Sequence, residues 1–211
     1  MRTEDLIRAL AHDSASRSES VARRLVTRAL VGVLAALCVF ALFLTPRPDL
    51  SVVIVTPRVA FKFLITLALV GAAGALTLRA MRPEARSSLW SVLIPVLALL
   101  AVGVAAELIS SPPAAWRPLL IGSNALACLA LVPLLSLLPL GSILAALRYG
   151  APSQPRFAGT IAGLLAGGIG SALYALHCPD DSPLFVAAWY GLSITVISVL
   201  GAALGARWLR W

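Results

Sequence analysis

Six apolar stretches, each about as long as a bilayer-crossing helix, dominate this chain of 211 residues. They occupy residues 25–44, 59–78, 89–109, 119–140, 157–176 and 184–206. An apolar helix needs about 20 residues to cross the roughly 30 Å hydrocarbon layer, where every backbone polar group must be satisfied within the protein. The composition agrees: 60% of residues are hydrophobic and 12% charged, outside the mix of water-soluble domains. Strand-type alternation is absent, which argues against a barrel. The expected fold is an all-α polytopic membrane protein with six transmembrane helices.

The first 24 residues carry charges of both signs and lack the apolar stretch and small-residue cleavage site of a signal peptide, so they are expected to stay on the mature protein. Basic residues near helix ends resist translocation. With the N-terminus inside, Arg2, Arg8, Arg17, Arg23, Arg24, Arg28, Arg79, Arg82, Arg86, Arg148, Arg156, Arg207 and Arg210 fall on the cytoplasmic side, 13 of the 17 basic residues. Arg47, Arg58, Lys62 and Arg117 fall outside. Six spans then place both termini in the cytoplasm. The net charge of +8 is thus a topology signal and implies no nucleic acid as partner. The bilayer itself is the first partner.

The outer side also collects the chemistry. His177, Cys178, Asp180 and Asp181 share the turn between the last two spans. Arg58 and Lys62, four residues apart, share one face at the start of the second helix. Glu107 stands at the end of the third, with Arg117, Ser123 and Asn124 near the start of the fourth. Ionisable groups inside spans are costly and face the bundle or water, which makes Arg58, Lys62 and Glu107 a candidate polar cluster. The ordinary alternative, favoured so near helix ends, is that Lys62 and Glu107 snorkel to the interface. A small six-span transporter or channel using Lys62, Glu107 and the 177–181 loop is the runner-up; the near absence of polar residues at mid-depth counts against it.

Helical rise from the outer ends puts Cys38 roughly 9 Å deep and Cys128 roughly 13 Å deep, with Cys178 at the surface. Cys128 and Cys178 then meet only if the His177–Pro179 turn dips into the bundle, the arrangement favoured by Pro179 and Pro183, or if a soft metal ion bridges them. A buried cysteine is by default an inert hydrophobe. Cys178 differs because it adjoins His177, Asp180 and Asp181, a combination suited to a metal or to redox chemistry, with His177 able to lower the thiol's pKa when protonated. No C-x-x-C pair supports a thiol oxidoreductase, and no Cys/His quartet supports a zinc site. Asp181 or Ser182 can equally cap the last helix, with Pro183 in its first turn.

The remaining motifs are scaffold. Gly159, Gly163 and Gly167, with Gly201 and Gly205, form small-xxx-small ladders for close helix packing, within the chain or between chains. Pro95 in the third helix and Pro133 and Pro139 in the fourth are expected to kink or end it locally. At the N-terminus, Leu6, Ile7 and Leu10 recur at helical spacing behind acidic Glu4 and Asp5, a short amphipathic helix, and the polar segment SASRSES is expected to break it before the membrane.

The start MRTEDLIRALA, the six spans and the late signature HCPDDSPLFVAAWYG together resemble the NrsF-type membrane anti-sigma factors over essentially the whole chain. The resemblance implies a non-enzymatic regulator of the bacterial inner membrane that holds an extracytoplasmic-function sigma factor inactive. Residues 1–24, with Leu6, Ile7 and Leu10, would bind the sigma factor; residues 25–211 would form the sensor domain. Cys128 and Cys178 would sense heavy-metal or oxidant stress, supported by His177, Asp180 and Asp181. No resident cofactor is implied, only a soft metal ion bound transiently as signal.

Overall fold

The computed structural model describes residues 3–81, 91–150 and 152–209, with the side chains of residues 6–22 outside that description. Arg2, Arg82, Arg86 and Arg210, the expected start of the third span at Leu89, and the side chains of Leu6, Ile7 and Leu10 lie outside the described residues.

The first helix, α1, spans Thr3–Phe43 without interruption. The expected break at SASRSES does not occur. No proline falls between residues 3 and 43, and Ser, Ala, Arg and Glu all tolerate a helix that the following apolar turns already hold in register. Only the part from Arg23 onward is apolar enough to span, so at about 1.5 Å per residue the preceding part projects roughly 30 Å beyond it. Pro46 and Pro48 forbid continuation past the end.

A single turn, α2 (Leu50–Val53), leads to α3 (Pro57–Ala80), which begins with Pro57 in its first turn behind an extended Thr56. Then follow α4 (Ile94–Ser110), with Pro95 in its first turn and therefore no kink, a short α5 (Pro113–Ile121) and α6 (Ala125–Leu147). α7 covers Pro155–Ala175, and α8 covers Pro183–Trp208 with a π-helical turn at Val186–Tyr190. Six of these helices are long and apolar enough to cross a membrane, in accord with the expected count.

The expected fourth span, 119–140, is displaced. Gly122 takes φ +60°, a conformation open to glycine and strained for other residues. The chain breaks there into α5 and α6, and the spanning helix starts at Ala125. Pro133 and Pro139 do not end α6. Each removes one i→i−4 bond, to the carbonyls of Leu129 and Leu135, a loss that spanning helices tolerate. The nearby Ser136 and Ser142 hydroxyls stay bonded within the helix, to the Val132 carbonyl at 2.6 Å and the Pro139 carbonyl at 2.8 Å.

α7 is the central helix, packed against α3, α6 and α8. Its glycines answer whether the ladders serve packing within the chain. A Cβ on Gly159 would overlap the Gly201 carbonyl oxygen, and one on Gly205 would come within 2.6 Å of the Pro155 carbonyl oxygen. The α7 and α8 backbones touch because nothing stands between them. α4 is peripheral and meets α3 where Phe61 fills the space over Gly103.

Alternating helix direction gathers Arg24, Arg79, Arg148, Arg156 and Arg207 toward one end of the bundle. There the Arg24 guanidinium lies 5.3 Å from the centre of the Tyr149 ring. The turns at 44–49, 111–124 and 176–182 occupy the opposite, loop end.

Candidate functional site at the loop end

The turn after α7 gives each polar residue of HCPDDS a separate task. His177 Nδ1 lies 2.7 Å from the Thr45 carbonyl; a carbonyl only accepts, so Nδ1 carries the proton. The Arg47 amide donates to the Leu176 carbonyl at 2.9 Å. The end of α1 is therefore bound to the turn twice through backbone groups.

Asp180 caps α6 from outside. Asn124, the residue before that helix, makes no side-chain cap of its own. The Asp180 carboxylate instead accepts the backbone N–H of Ser123 at 3.1 Å and of Asn124 at 2.8 Å, placing a negative charge on the positive end of the helix dipole. A Cβ on Gly122 would come within 2.7 Å of this carboxyl carbon and 2.6 Å of the Phe185 ring, so close approach as well as φ demands glycine there. Ser182 caps α8, its hydroxyl accepting the Leu184 N–H at 3.2 Å.

Asp181 joins two cations. One carboxylate oxygen accepts Arg47 Nη1 at 2.6 Å and the other pairs with Lys62. Lys62 Nζ also donates to the Cys178 carbonyl at 2.7 Å and that of Asp180 at 3.3 Å. Three acceptors satisfy the ammonium's three protons, and the side chain is 0% exposed. Snorkelling is overturned for this residue, because its partners lie on the turn and not in the aqueous layer. It is overturned for Glu107 too, which is buried and paired with Arg58 at 2.6 and 3.1 Å. The expected polar cluster thus divides, Arg58 with Glu107 and Lys62 with the 178–181 turn. A cleft of about 920 Å³ lies between them, walled by Phe61, Leu99, Gly103, Glu107 and Pro179 to Pro183.

Hydrogen bonds to Asp49, then to Asp181, raise the Arg47 pKa despite partial burial; Arg47 in turn lowers that of exposed Asp49. Both groups stay charged across ordinary pH.

Beneath the turn lie the thiols. Cys178 is not at the surface; it is fully buried, as is Cys128, and both belong to one cluster with Phe40, Tyr174, Phe185 and Tyr190. The depth mismatch expected between them disappears from both sides. α6 begins at Ala125, which leaves Cys128 one turn, about 4.5 Å, inside the helix. The turn meanwhile folds inward, with the Cys178 amide still bonded to the Tyr174 carbonyl at 3.0 Å. Burial pushes the Cys178 thiol pKa up, opposed by the charge of Lys62. Lys62, and not His177, is the cation placed to favour this thiolate. Both cysteines are free thiols, and Cys38 is exposed on the surface of α1. His177, Asp180 and Asp181 all point to other partners, and among the described residues no group of three or more His, Cys, Asp and Glu is placed to hold a metal ion.

The π-helical turn, Val186–Tyr190, shapes the far wall. Its wider winding lets Phe185 and Tyr190, five residues apart, both pack into the cluster, their rings edge to face at 6.2 Å. Tyr174 and Tyr190 then meet at 6.0 Å between centroids. Tyr174 and Arg47 carry no local signal of this role in the sequence; Tyr190 belongs to the W-Y of the late signature, which does point here.

A family profile described as "Negative regulator of sigma F", NrsF, matches residues 10–211. The chain belongs to the NrsF family. Over its full length it is 37% identical to the anti-sigma-F factor NrsF of Caulobacter vibrioides, whose whole length is covered. It is 34% identical, again with both chains fully covered, to a probable anti-sigma-F factor NrsF of Azospira oryzae. No solved structure matches the chain. The NrsF family membership agrees with the resemblance carried by the N-terminal start, the six spans and the late signature, and the last of these forms the turn that organises this site.

Proposed function

We propose that this protein is a membrane anti-sigma regulator and not an enzyme. It resides in the bacterial inner membrane with both termini cytoplasmic. Residues 1–24 hold an extracytoplasmic-function sigma factor, with Leu6, Ile7 and Leu10 as the contact face. Residues 25–211 sense heavy-metal or oxidant stress through Cys128 and Cys178. The names of the full-length relatives support the regulatory role.

One structural observation carries the mechanism: α1 is a single helix from Thr3 to Phe43, and the chain just beyond it is bound to the Cys178 turn through Arg47, Thr45 and Asp181. A ligand acts at a distance only if it favours one of two states energetically. Engagement of the thiols reshapes the turn, loosens its hold on Arg47, and so lets α1 shift as a rod whose other end carries the sigma-binding segment.

The test is co-purification of a sigma factor with the intact protein, followed by deletion of residues 1–24 and by the double substitution Leu6→Asp, Leu10→Asp. Charges in a desolvated apolar contact cost several kcal/mol, so both variants should insert in the membrane yet lose the sigma factor. Retention of the factor by the inserted double variant would remove this face from the interface.

A further inference from the structure

Three buried side-chain polar atoms have no hydrogen-bond partner among the described residues, and two of them are the phenol oxygens of Tyr174 and Tyr190. Tyr174 is 0% and Tyr190 1% exposed. Leaving such a group unsatisfied costs about 1–3 kcal/mol, and an unsatisfied group in a native fold calls for an explanation. Both phenols share the cluster of Cys128 and Cys178 and lie within interaction reach of the Cys178 sulfur, yet neither makes a hydrogen bond of full geometry to it or to any other described group. They are two donors held beside two thiols, waiting for a better acceptor.

We propose that Tyr174 and Tyr190 are the hydrogen-bond donors that stabilise Cys128 and Cys178 as a thiolate pair around one soft divalent cation. The inference rests on the thiol-sensing reading above and deepens it by choosing between its two triggers. A neutral thiol is a weak acceptor, whereas a metal-bound thiolate sulfur keeps negative charge and accepts strongly. Binding breaks two S–H bonds, forms two S–metal bonds and releases two protons to bulk water; no electron changes hands. The product is neutral as a whole, the form of charge a buried apolar site tolerates. Oxidation to a disulfide would instead need an oxidant to take two electrons, and would leave two neutral sulfurs and two phenols still unpaired. With no third ligand of the His, Cys, Asp or Glu type arranged nearby among the described residues, the cation that fits is one content with two thiolates.

The experiment uses the full-length protein in lipid nanodiscs, in a Cys38→Ser background that removes the exposed thiol, with mercuric ion alone as the probe. Ultraviolet thiolate-to-metal absorption, proton release and competition by a small dithiol report binding. The expected result is one ion and two protons per chain, lost in Cys128→Ser and in Cys178→Ser. Tyr174→Phe and Tyr190→Phe should each bind about tenfold more weakly, with the absorption band altered. Their thermal unfolding without metal should be unchanged or raised, since the change deletes an unsatisfied hydroxyl, which separates this role from a merely structural one. Unchanged affinity and band in both phenylalanine variants would overturn the inference while leaving the thiol pair intact. Absence of two-thiol binding in the parent would overturn both.

Discussion

The Arg47 amide donates to the Leu176 carbonyl at 2.9 Å, and the same arginine's guanidinium reaches Asp181 at 2.6 Å. Arg47 therefore grips the Cys178 turn on both of its flanks, from just beyond the end of α1. Residues 129 positions apart in sequence behave as one joint.

Lys62→Met should destabilise the protein by about 3–5 kcal/mol, because it strips Asp181 of one of its two cations and leaves the Cys178 carbonyl without its donor. Asp49→Asn, at an exposed position paired with Arg47 among the described residues, should leave the melting temperature essentially unchanged. Thermal unfolding of the two variants side by side checks the contrast; equal effects would deny the buried pair its role.

Gly159→Leu forces α7 away from α8, since even a methyl group there overlaps the Gly201 carbonyl. Overpacking against backbone should cost about 3 kcal/mol or abolish folding. Gly71→Ala, with nothing within 4 Å of the added carbon, should be neutral. Folded yield and melting temperature in detergent decide between them.

The Cys178 thiol should ionise at higher pH in the folded protein than in the unfolded chain, because burial raises its pKa against the pull of Lys62. The folded state then holds the proton more tightly, so this group's contribution to stability is complete below the ordinary thiol range and is lost as pH rises from that range through the higher folded-state value. Alkylation of Cys178 should lag behind that of a free cysteine as pH is raised. A rate matching or exceeding the free thiol at neutral pH would contradict the burial.

If Cys128 and Cys178 form one two-thiol switch, Cys128→Ser and Cys178→Ser should impair the stress response equally, and Cys38→Ser should be silent. A reporter of sigma-dependent transcription reads all three. A normal response in both single variants, or a loss confined to Cys38→Ser, would assign sensing elsewhere.

The orientation drawn from 13 of 17 basic residues predicts that a reporter fused after Trp211 is cytoplasmic and one inserted near Asp49 is external. A cytoplasmic signal at Asp49 would reverse or dismantle the arrangement.

Hydropathy alone determined six spans, because the bilayer demands a length of apolar helix whatever the neighbours do. Local chemistry likewise made Ser182 legible as a cap of α8, and the glycine spacing made close packing legible without naming the partner. Tertiary structure decided what depends on a second chain segment. The fourth span begins at Ala125 and not near 119 because Asp180, 56 residues from Asn124, supplies the cap and presses on Gly122. Lys62 turns inward because Asp181 and two carbonyls wait 116 to 119 residues away. Tyr190 joins Tyr174 at the thiols because a π-helical turn moves it off the 3.6-residue period that sequence reading assumes. Periodicity and spacing describe one helix at a time, while a buried charge, a cap supplied in trans and an unpaired phenol are defined only by what another segment places against them.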